Sequence, residues 1–146
     1  MQNPLPPVVF QAKEQKCLAE GIYFEARGES EDGQAAVAQV ILNRVRNPAY
    51  PDTICGVVYQ DKRHRHRCQF SFACDGRSEV IAERLQWDTA RRIASDVTAG
   101  RIWIPEVGDS THYHARYVRP GWGRRMIKVD RIGAHIFYRT KLGGWS

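Results

Sequence analysis

The feature that most constrains the fold of this chain is a helical repeat of apolar residues in its first third. Residues 12–27 carry apolar side chains four positions apart, at Leu18, Ile22 and Ala26. Residues 30–45 repeat the pattern more densely, with Ser30 as a candidate N-cap and Pro48 as a stop. The chain is therefore predicted to begin with two adjacent amphipathic helices.

The remaining elements are predicted to be shorter and to change type along the chain. Residues 54–59 indicate a short helix, residues 61–75 a basic, irregular loop, and residues 88–99 a helix that ends at Gly100. Alternating apolar residues predict short antiparallel strands in segments 111–118, 126–130 and 134–139. Helices followed by a small sheet in the C-terminal third predict a mainly helical α+β domain.

Length, hydropathy and charge narrow the class of protein. The 146 residues suit one domain, which we place at residues 12–146 after an N-terminal extension, residues 1–11. No apolar run approaches the ~20 residues of a membrane span, and residues 1–10 lack a secretory signal, so export is expected to use a trimmed signal or another route. The net charge of +6 favours a polyanion, either nucleic acid or an anionic cell-wall polymer.

The four cysteines favour disulfides over a metal site. Cys17, Cys55, Cys68 and Cys74 include no CxxC pair, the usual spacing of structural zinc sites. The short loop between Cys68 and Cys74 can close as a local disulfide, which leaves Cys17 to pair with Cys55 in an oxidising compartment. The alternative is that all four remain reduced thiols.

Glu25 stands out in the first predicted helix. Its spacing from Leu18 and Ile22 puts the carboxylate on the apolar stripe, where burial raises a carboxyl pKa toward the range of a general acid. The negative end of the helix dipole is expected to raise the pKa of Glu25 further. The alternative is a surface glutamate paired with Arg27.

Several blocks of the sequence resemble a known family. They are LAEGIYFEARGESEDGQAAVAQVILNRV at residues 18–45, YPDTICGVVYQ at 50–60, CQFSFAC at 68–74, THYHARYVRPGW at 111–122 and IGAHIFY at 132–138. In this order they resemble the SleB/CwlJ-type cell wall hydrolases, which include spore cortex-lytic enzymes. The cysteines depart from the spore enzymes, which leaves the redox environment in question.

The resemblance implies a lysozyme-like fold and an activity on peptidoglycan. In the family the catalytic glutamate lies in the E-A-R-G-E segment, and in this sequence that residue is Glu25. The bond that the family cleaves joins N-acetylmuramic acid to N-acetylglucosamine. A lytic transglycosylase needs only this carboxylate and no cofactor, whereas a muramidase or glucosaminidase that uses water needs a second one, for which Glu29 is the nearest candidate. The resemblance also leaves room for a non-catalytic peptidoglycan-binding module.

Other residues are candidates for substrate binding. Amide, hydroxyl and aromatic groups suited to a sugar ring are found at Gln69, Ser71, Tyr113, His114, Trp122 and Tyr23. Gln34 is placed to reach Glu25 from the start of the second helix. His112 and His114 share one side of a strand, but no third ligand is evident, so no metal site is predicted.

The expected setting follows from the substrate. Peptidoglycan lies outside the cytoplasmic membrane, so we expect a periplasmic or cell-surface monomer, with a phage-encoded lysis or tail enzyme as the alternative. Nucleic-acid binding is not predicted, because the sequence contains no helix-turn-helix, zinc-finger or RNA-binding pattern.

Overall fold

A computed structural model describes residues 12–60, 81–115, 127–132 and 135–139. Within them the elements are the helices α1 (Ala12–Ala26), α2 (Glu31–Val45), α3 (Ile54–Val58) and α4 (Arg84–Thr98) and the strands β1 (His112–Ala115), β2 (Ile127–Ile132) and β3 (His135–Arg139). This order confirms the predicted α+β class, with the helices first and the small sheet last. None of the helices in the described part is long and apolar enough to cross a membrane.

The ends of the helices follow from local sequence. The Ser30 hydroxyl accepts a hydrogen bond from the Gly33 amide at 3.1 Å, as predicted for the N-cap of α2. Gly100, at φ 79°, ends α4, and its amide and that of Arg101 donate to carbonyls of the last turn in a Schellman motif. The predicted start of α4 at residue 88 was wrong, and the helix begins at Arg84. The prediction missed this turn because residues 84–86 are exposed and carry no apolar stripe.

The core forms where α1 crosses the other helices. α2 is the most enclosed helix, with twelve consecutive buried residues from Gly33 to Arg44. At Gly21 a Cβ atom would lie 3.0 Å from the Ile41 side chain and 3.3 Å from that of Val58, so the missing side chain lets α1 approach α2 and α3 closely. This packing fixes the direction in which the C-terminal end of α1, and with it Glu25, points.

Two contacts join the N-terminal half of α1 to α3. The structure places a disulfide between Cys17 and Cys55, with Cα atoms 5.1 Å apart. One turn earlier, the Glu14 carboxylate accepts hydrogen bonds from the amides of Ile54 and Cys55, each at 2.9 Å. Those amides begin α3 and have no acceptor within it, so the carboxylate caps the short helix.

Polar side chains of α2 hold the segment that leads to the sheet. Gln39 donates to the carbonyls of Ile104 and Gly108, each at 3.0 Å, and accepts from the Ile104 amide at 2.8 Å. Asn43, one turn later, donates to the carbonyls of Gly108 and Ser110 at 2.9 Å. These contacts supply the hydrogen bonds that a buried, irregular backbone needs, and they fix the start of β1 against α2.

Replacement of Gln39 by alanine is expected to destabilise the domain by about 2 kcal/mol, because the buried Ile104 amide loses its acceptor and the carbonyls of Ile104 and Gly108 each lose one of their donors. Urea unfolding followed by circular dichroism measures this loss. Gln86→Ala is the matched control, since Gln86 is exposed on α4 and its loss is expected to change stability by less than about 0.5 kcal/mol. Equal stability of the two variants would contradict the assigned role.

The sheet is antiparallel, with the strand order β1-β3-β2. Tyr113 of β1 pairs with Phe137 of β3, and Ala115 pairs with His135. Because side chains alternate along a strand, Tyr113, His135 and Phe137 share one face. Phe137 is fully buried, so this face packs on the helices.

Candidate active site

Glu25 lies in the last turn of α1 and is partly buried. Its carboxylate accepts a hydrogen bond from the hydroxyl of Tyr113, on the inner face of β1. Burial raises the pKa of the Tyr113 hydroxyl well above its ordinary value, and the negative charge of Glu25 acts in the same direction. Tyr113 therefore stays protonated and serves as a fixed donor to Glu25.

Arg44 supplies a positive charge next to this pair. Its Nε donates to the Thr111 carbonyl at 2.8 Å, and the guanidinium lies 5.3 Å from the centre of the Tyr50 ring. Burial lowers the pKa of the Arg44 guanidinium, while Tyr50, Tyr113 and Glu25 raise it. An arginine remains charged in such surroundings, so its positive charge acts on both Tyr113 and Glu25.

A second carboxylate, Glu29, lies just beyond the end of α1. Its Oε1 is 3.5 Å from Nδ1 of His135, an electrostatic contact longer than a good hydrogen bond. The His135 ring meets the Tyr113 ring edge to face, with centroids 5.0 Å apart. Tyr113 thus interacts both with Glu25 and with His135, the residue that faces Glu29.

His112 is close to Arg44 but is not placed for acid–base work at neutral pH. Its Nδ1 lies 3.0 Å from the Thr111 hydroxyl. Burial lowers the pKa of His112 to about 4, and the charge of Arg44 acts in the same direction. The imidazole is therefore neutral at neutral pH.

This depressed pKa predicts a loss of stability in acid. Unfolded chains hold histidine at its ordinary pKa near 6.5, so between pH 6.5 and about 4 the unfolded state binds a proton that the native state does not. The contribution is complete above pH 6.5 and is lost progressively as the pH falls to about 4, up to about 2 kcal/mol, because water screens part of the effect at a half-buried side chain. We expect His112→Gln to flatten the dependence of urea stability on pH within this window. Parallel pH curves for the two proteins would contradict the prediction.

The structure gives Tyr23 a role other than the predicted one. Its side chain is fully buried, and its hydroxyl accepts hydrogen bonds from the amides of Ala82 and Glu83 at 3.2 and 2.9 Å. The ring also packs against Phe24 and Trp87. A side chain enclosed in this way offers no face to a sugar, so the prediction that Tyr23 binds substrate was wrong.

Two other expected partners of Glu25 are engaged elsewhere. Arg27 forms an ion pair with Glu83 at 3.4 Å and covers the Tyr23 ring, which removes the basis for a surface Glu25–Arg27 pair. Gln34 donates to the Glu29 carbonyl at 3.2 Å, so its amide supports the backbone that follows α1.

Several predicted residues lie outside the described part of the chain. They are Gln69, Ser71, Trp122, Cys68 and Cys74. His114 lies in β1, but its side chain is also outside the description. Their predicted roles stay predictions.

Arg44 and His135 are the residues around Tyr113 that sequence reasoning missed. Arg44 is the charged residue of the buried stretch 33–44 in α2. A charged residue in a helix that is buried on all its faces usually has a specific role, so this pattern is a usable signal. His135 lies at the start of a short strand, and nothing in its local pattern separates it from an exposed histidine.

Among the described residues, one group has the geometry of a metal site. Ligand atoms of Glu14, Cys17 and Cys55 lie within 4.8 Å of one another. The two cysteines are joined as a disulfide, and the carboxylate already accepts two amides, so these residues do not fit a metal ion as they stand.

One cavity in the described part of the chain lies away from this cluster. A groove of about 640 Å³ lies between the start of α1 and α4, with Lys16, Trp87 and Arg91 in its lining. Nine residues of α1 separate Lys16 from Glu25, about 14 Å along the helix. This groove contains none of the residues around Glu25, and the charge, hydrogen bonding and burial at Glu25 identify the candidate site.

The fold and this cluster together define a small lysozyme-like domain, with a partly buried glutamate at a helix end facing a short antiparallel sheet. Residues 28–138 match the model of the cell wall hydrolase family. The chain belongs to this family.

Comparison with solved structures supports the assignment. The catalytic domain of the Bacillus cereus SleB protein matches with a TM-score of 0.72 and 29% identity, over 94% of this chain and 98% of that one. The catalytic domain of the germination-specific lytic transglycosylase SleB from Bacillus anthracis matches with a TM-score of 0.73 and 29% identity, over 91% of this chain and 99% of that one.

Full-length relatives are similar over the same region. A spore cortex-lytic enzyme of Halalkalibacterium halodurans is 32% identical over 131 residues, which is 90% of this chain and 36% of that protein. The corresponding enzyme of Bacillus subtilis is 33% identical over 133 residues, 90% of this chain and 39% of that protein. The chain thus spans about two-fifths of the length of these relatives.

Proposed function

We propose that this chain cleaves the glycan strands of peptidoglycan between N-acetylmuramic acid and N-acetylglucosamine, as a lytic transglycosylase with Glu25 as its catalytic acid and base. The observation that carries the proposal is the hydrogen bond from Tyr113 to a partly buried Glu25, within a fold shared with a SleB catalytic domain described as a lytic transglycosylase. A carboxyl group held in one orientation can transfer its proton to a single substrate atom.

The reaction requires one carboxyl group in two protonation states. Protonated Glu25 gives its proton to the glycosidic oxygen as the bond from that oxygen to the anomeric carbon breaks. The 6-hydroxyl of the muramic acid then attacks the anomeric carbon, and its proton passes to the Glu25 carboxylate. The product is a 1,6-anhydro sugar, and Glu25 returns to its starting state. Arg44 and Tyr113 stabilise the intermediate carboxylate.

Two alternatives remain open. A muramidase or glucosaminidase would use water as the nucleophile and would need a second carboxylate, for which Glu29 is the nearest candidate among the described residues. A non-catalytic module would bind peptidoglycan with the same fold and leave it intact.

Mass spectrometry of the soluble products from purified peptidoglycan distinguishes these functions. Anhydromuramic ends are expected. Reducing ends would mean that water is the nucleophile. Sacculi that are bound but remain uncut, over several peptidoglycan types, would favour the binding module.

The proposed substrate also determines where the protein acts. Peptidoglycan lies outside the cytoplasmic membrane, and the Cys17–Cys55 disulfide suits an oxidising compartment, so the periplasm or cell surface is the proposed site of action. A phage-encoded lysis or tail enzyme would meet the same substrate. A monomer suffices for the proposed chemistry, because one carboxylate carries it.

A further inference from the structure

We infer that Glu29 is a positioning residue: it holds His135 against Tyr113, which in turn orients the carboxylate of Glu25. This inference rests on the proposed function, and it replaces the alternative in which Glu29 acts on the substrate as a second carboxylate.

Glu29 is held firmly by its own backbone. Its amide donates to the Ala26 carbonyl at 2.9 Å, and its carbonyl accepts from Gln34 Nε2 at 3.2 Å. Both contacts come from the helices on either side of the turn, so the backbone of Glu29 is held in place. The Glu29 side chain is only 22% exposed.

The carboxylate of Glu29 faces an imidazole. Its Oε1 lies 3.5 Å from Nδ1 of His135, whose side chain is 12% exposed. A nucleophile or general base must instead turn its oxygens toward the anomeric carbon or a water molecule beside it. The observed orientation suits an electrostatic contact with His135.

His135 passes this constraint to the catalytic carboxylate. Its ring meets the Tyr113 ring at 79°, with centroids 5.0 Å apart, and the Phe137 ring lies tilted by 38° against the Tyr113 ring, with centroids 5.7 Å apart. Two ring contacts therefore fix the plane of Tyr113, whose hydroxyl donates to Glu25. Rings held by edge-to-face contacts keep a preferred geometry, and small displacements near a reacting centre lower the rate.

The test compares Glu29→Gln with the wild type and with Glu106→Gln, a matched control in an exposed position. Glu29→Gln is expected to lower kcat about tenfold, a usual size for residues coupled through direct contacts, with KM changed less than about twofold. Anhydromuramic ends should persist. Glu106→Gln should match the wild type. A merely structural defect would instead lower the fraction of active protein. The active sites are therefore counted by titration with a substrate analogue, and kcat is calculated per active site.

A double-mutant cycle tests the path through His135. If Glu29 acts by way of the imidazole, the double variant Glu29→Gln/His135→Gln should be no slower than the slower of the two single variants. Multiplicative losses would overturn the inference. So would a loss of about 10³-fold in Glu29→Gln, the size expected for a group that transfers protons itself, or no loss at all.

A measurement without substrate separates this inference from the proposed function. The Tyr113 ring signals in NMR spectra, assigned with Tyr113→Phe, are expected to shift in Glu29→Gln and to stay unchanged in Glu106→Gln. An inactive wild type with this shift would refute the proposed function and leave the contact path supported. Unchanged Tyr113 signals in Glu29→Gln would refute the path whatever the activity.

Discussion

Replacement of Glu25 by glutamine is expected to lower the rate of glycan cleavage about 10³-fold, the middle of the range for loss of a general acid. Glutamine has the same shape and still accepts the hydrogen bond from Tyr113, but it has no proton to give to the glycosidic oxygen. Binding to sacculi should persist. The stability of the variant should stay within about 1 kcal/mol of the wild type, because no core contact is lost.

The measurement is release of soluble fragments from purified peptidoglycan at matched protein concentrations, together with a sedimentation assay for binding. Glu106→Gln provides the control for removal of one exposed carboxylate and should retain wild-type activity. Activity of Glu25→Gln within a factor of ten of the wild type would assign the acid to another residue.

Loss of the Cys17–Cys55 disulfide is expected to lower the free energy of unfolding by about 4 kcal/mol. The bond closes a loop with a sequence separation of 38 residues, and its removal restores that freedom to the unfolded chain. The double variant Cys17→Ala/Cys55→Ala should therefore unfold at a lower urea concentration than the oxidised wild type. At about 3 °C per kcal/mol, the melting temperature should fall by about 12 °C.

Cys68 and Cys74 require their own variant. A reductant added to the wild type would reduce any disulfide among the four cysteines, so it does not test the Cys17–Cys55 pair alone. Cys68→Ser/Cys74→Ser tests the predicted local pair, and its short loop is expected to contribute less stability than the longer one. If the reductant destabilises this variant by about 4 kcal/mol and destabilises Cys17→Ala/Cys55→Ala by less, the assignment of the larger effect to α1 and α3 holds. An equal effect on both would contradict it.

The helical part of the fold was predictable because its signals are local. Ser30 as N-cap, the apolar stripe of α2 and Gly100 after α4 each act within a few residues of chain, and all three appear in the structure as predicted. The start of α4 was misplaced, because Arg84 and its neighbours form an exposed first turn without a stripe. An exposed turn is stabilised by the helix it extends, and its own sequence gives little signal of this.

The surroundings of Glu25 were only partly predictable. Helical spacing singled out Glu25 itself, and alternation placed Tyr113 in a strand. Tyr23 was misread, because an aromatic residue next to a candidate acid has the same local pattern whether it faces a groove or the core. His135 and Arg44 went unrecognised, since each comes near Glu25 from a distant part of the chain.

The sequence by itself determined the α+β class, most ends of the main helices and the selection of Glu25 as a candidate, because spacing and capping are properties of neighbouring residues. Only the tertiary structure decided what surrounds that carboxylate: Tyr113 as donor, Arg44 as cation and His135 facing Glu29. These residues come from α1, α2, β1 and β3, which lie far apart in sequence, and the packing of the helices on the small sheet brings them together. Hydrogen bonds and electrostatic effects depend on distance in space, and a linear sequence does not contain those distances.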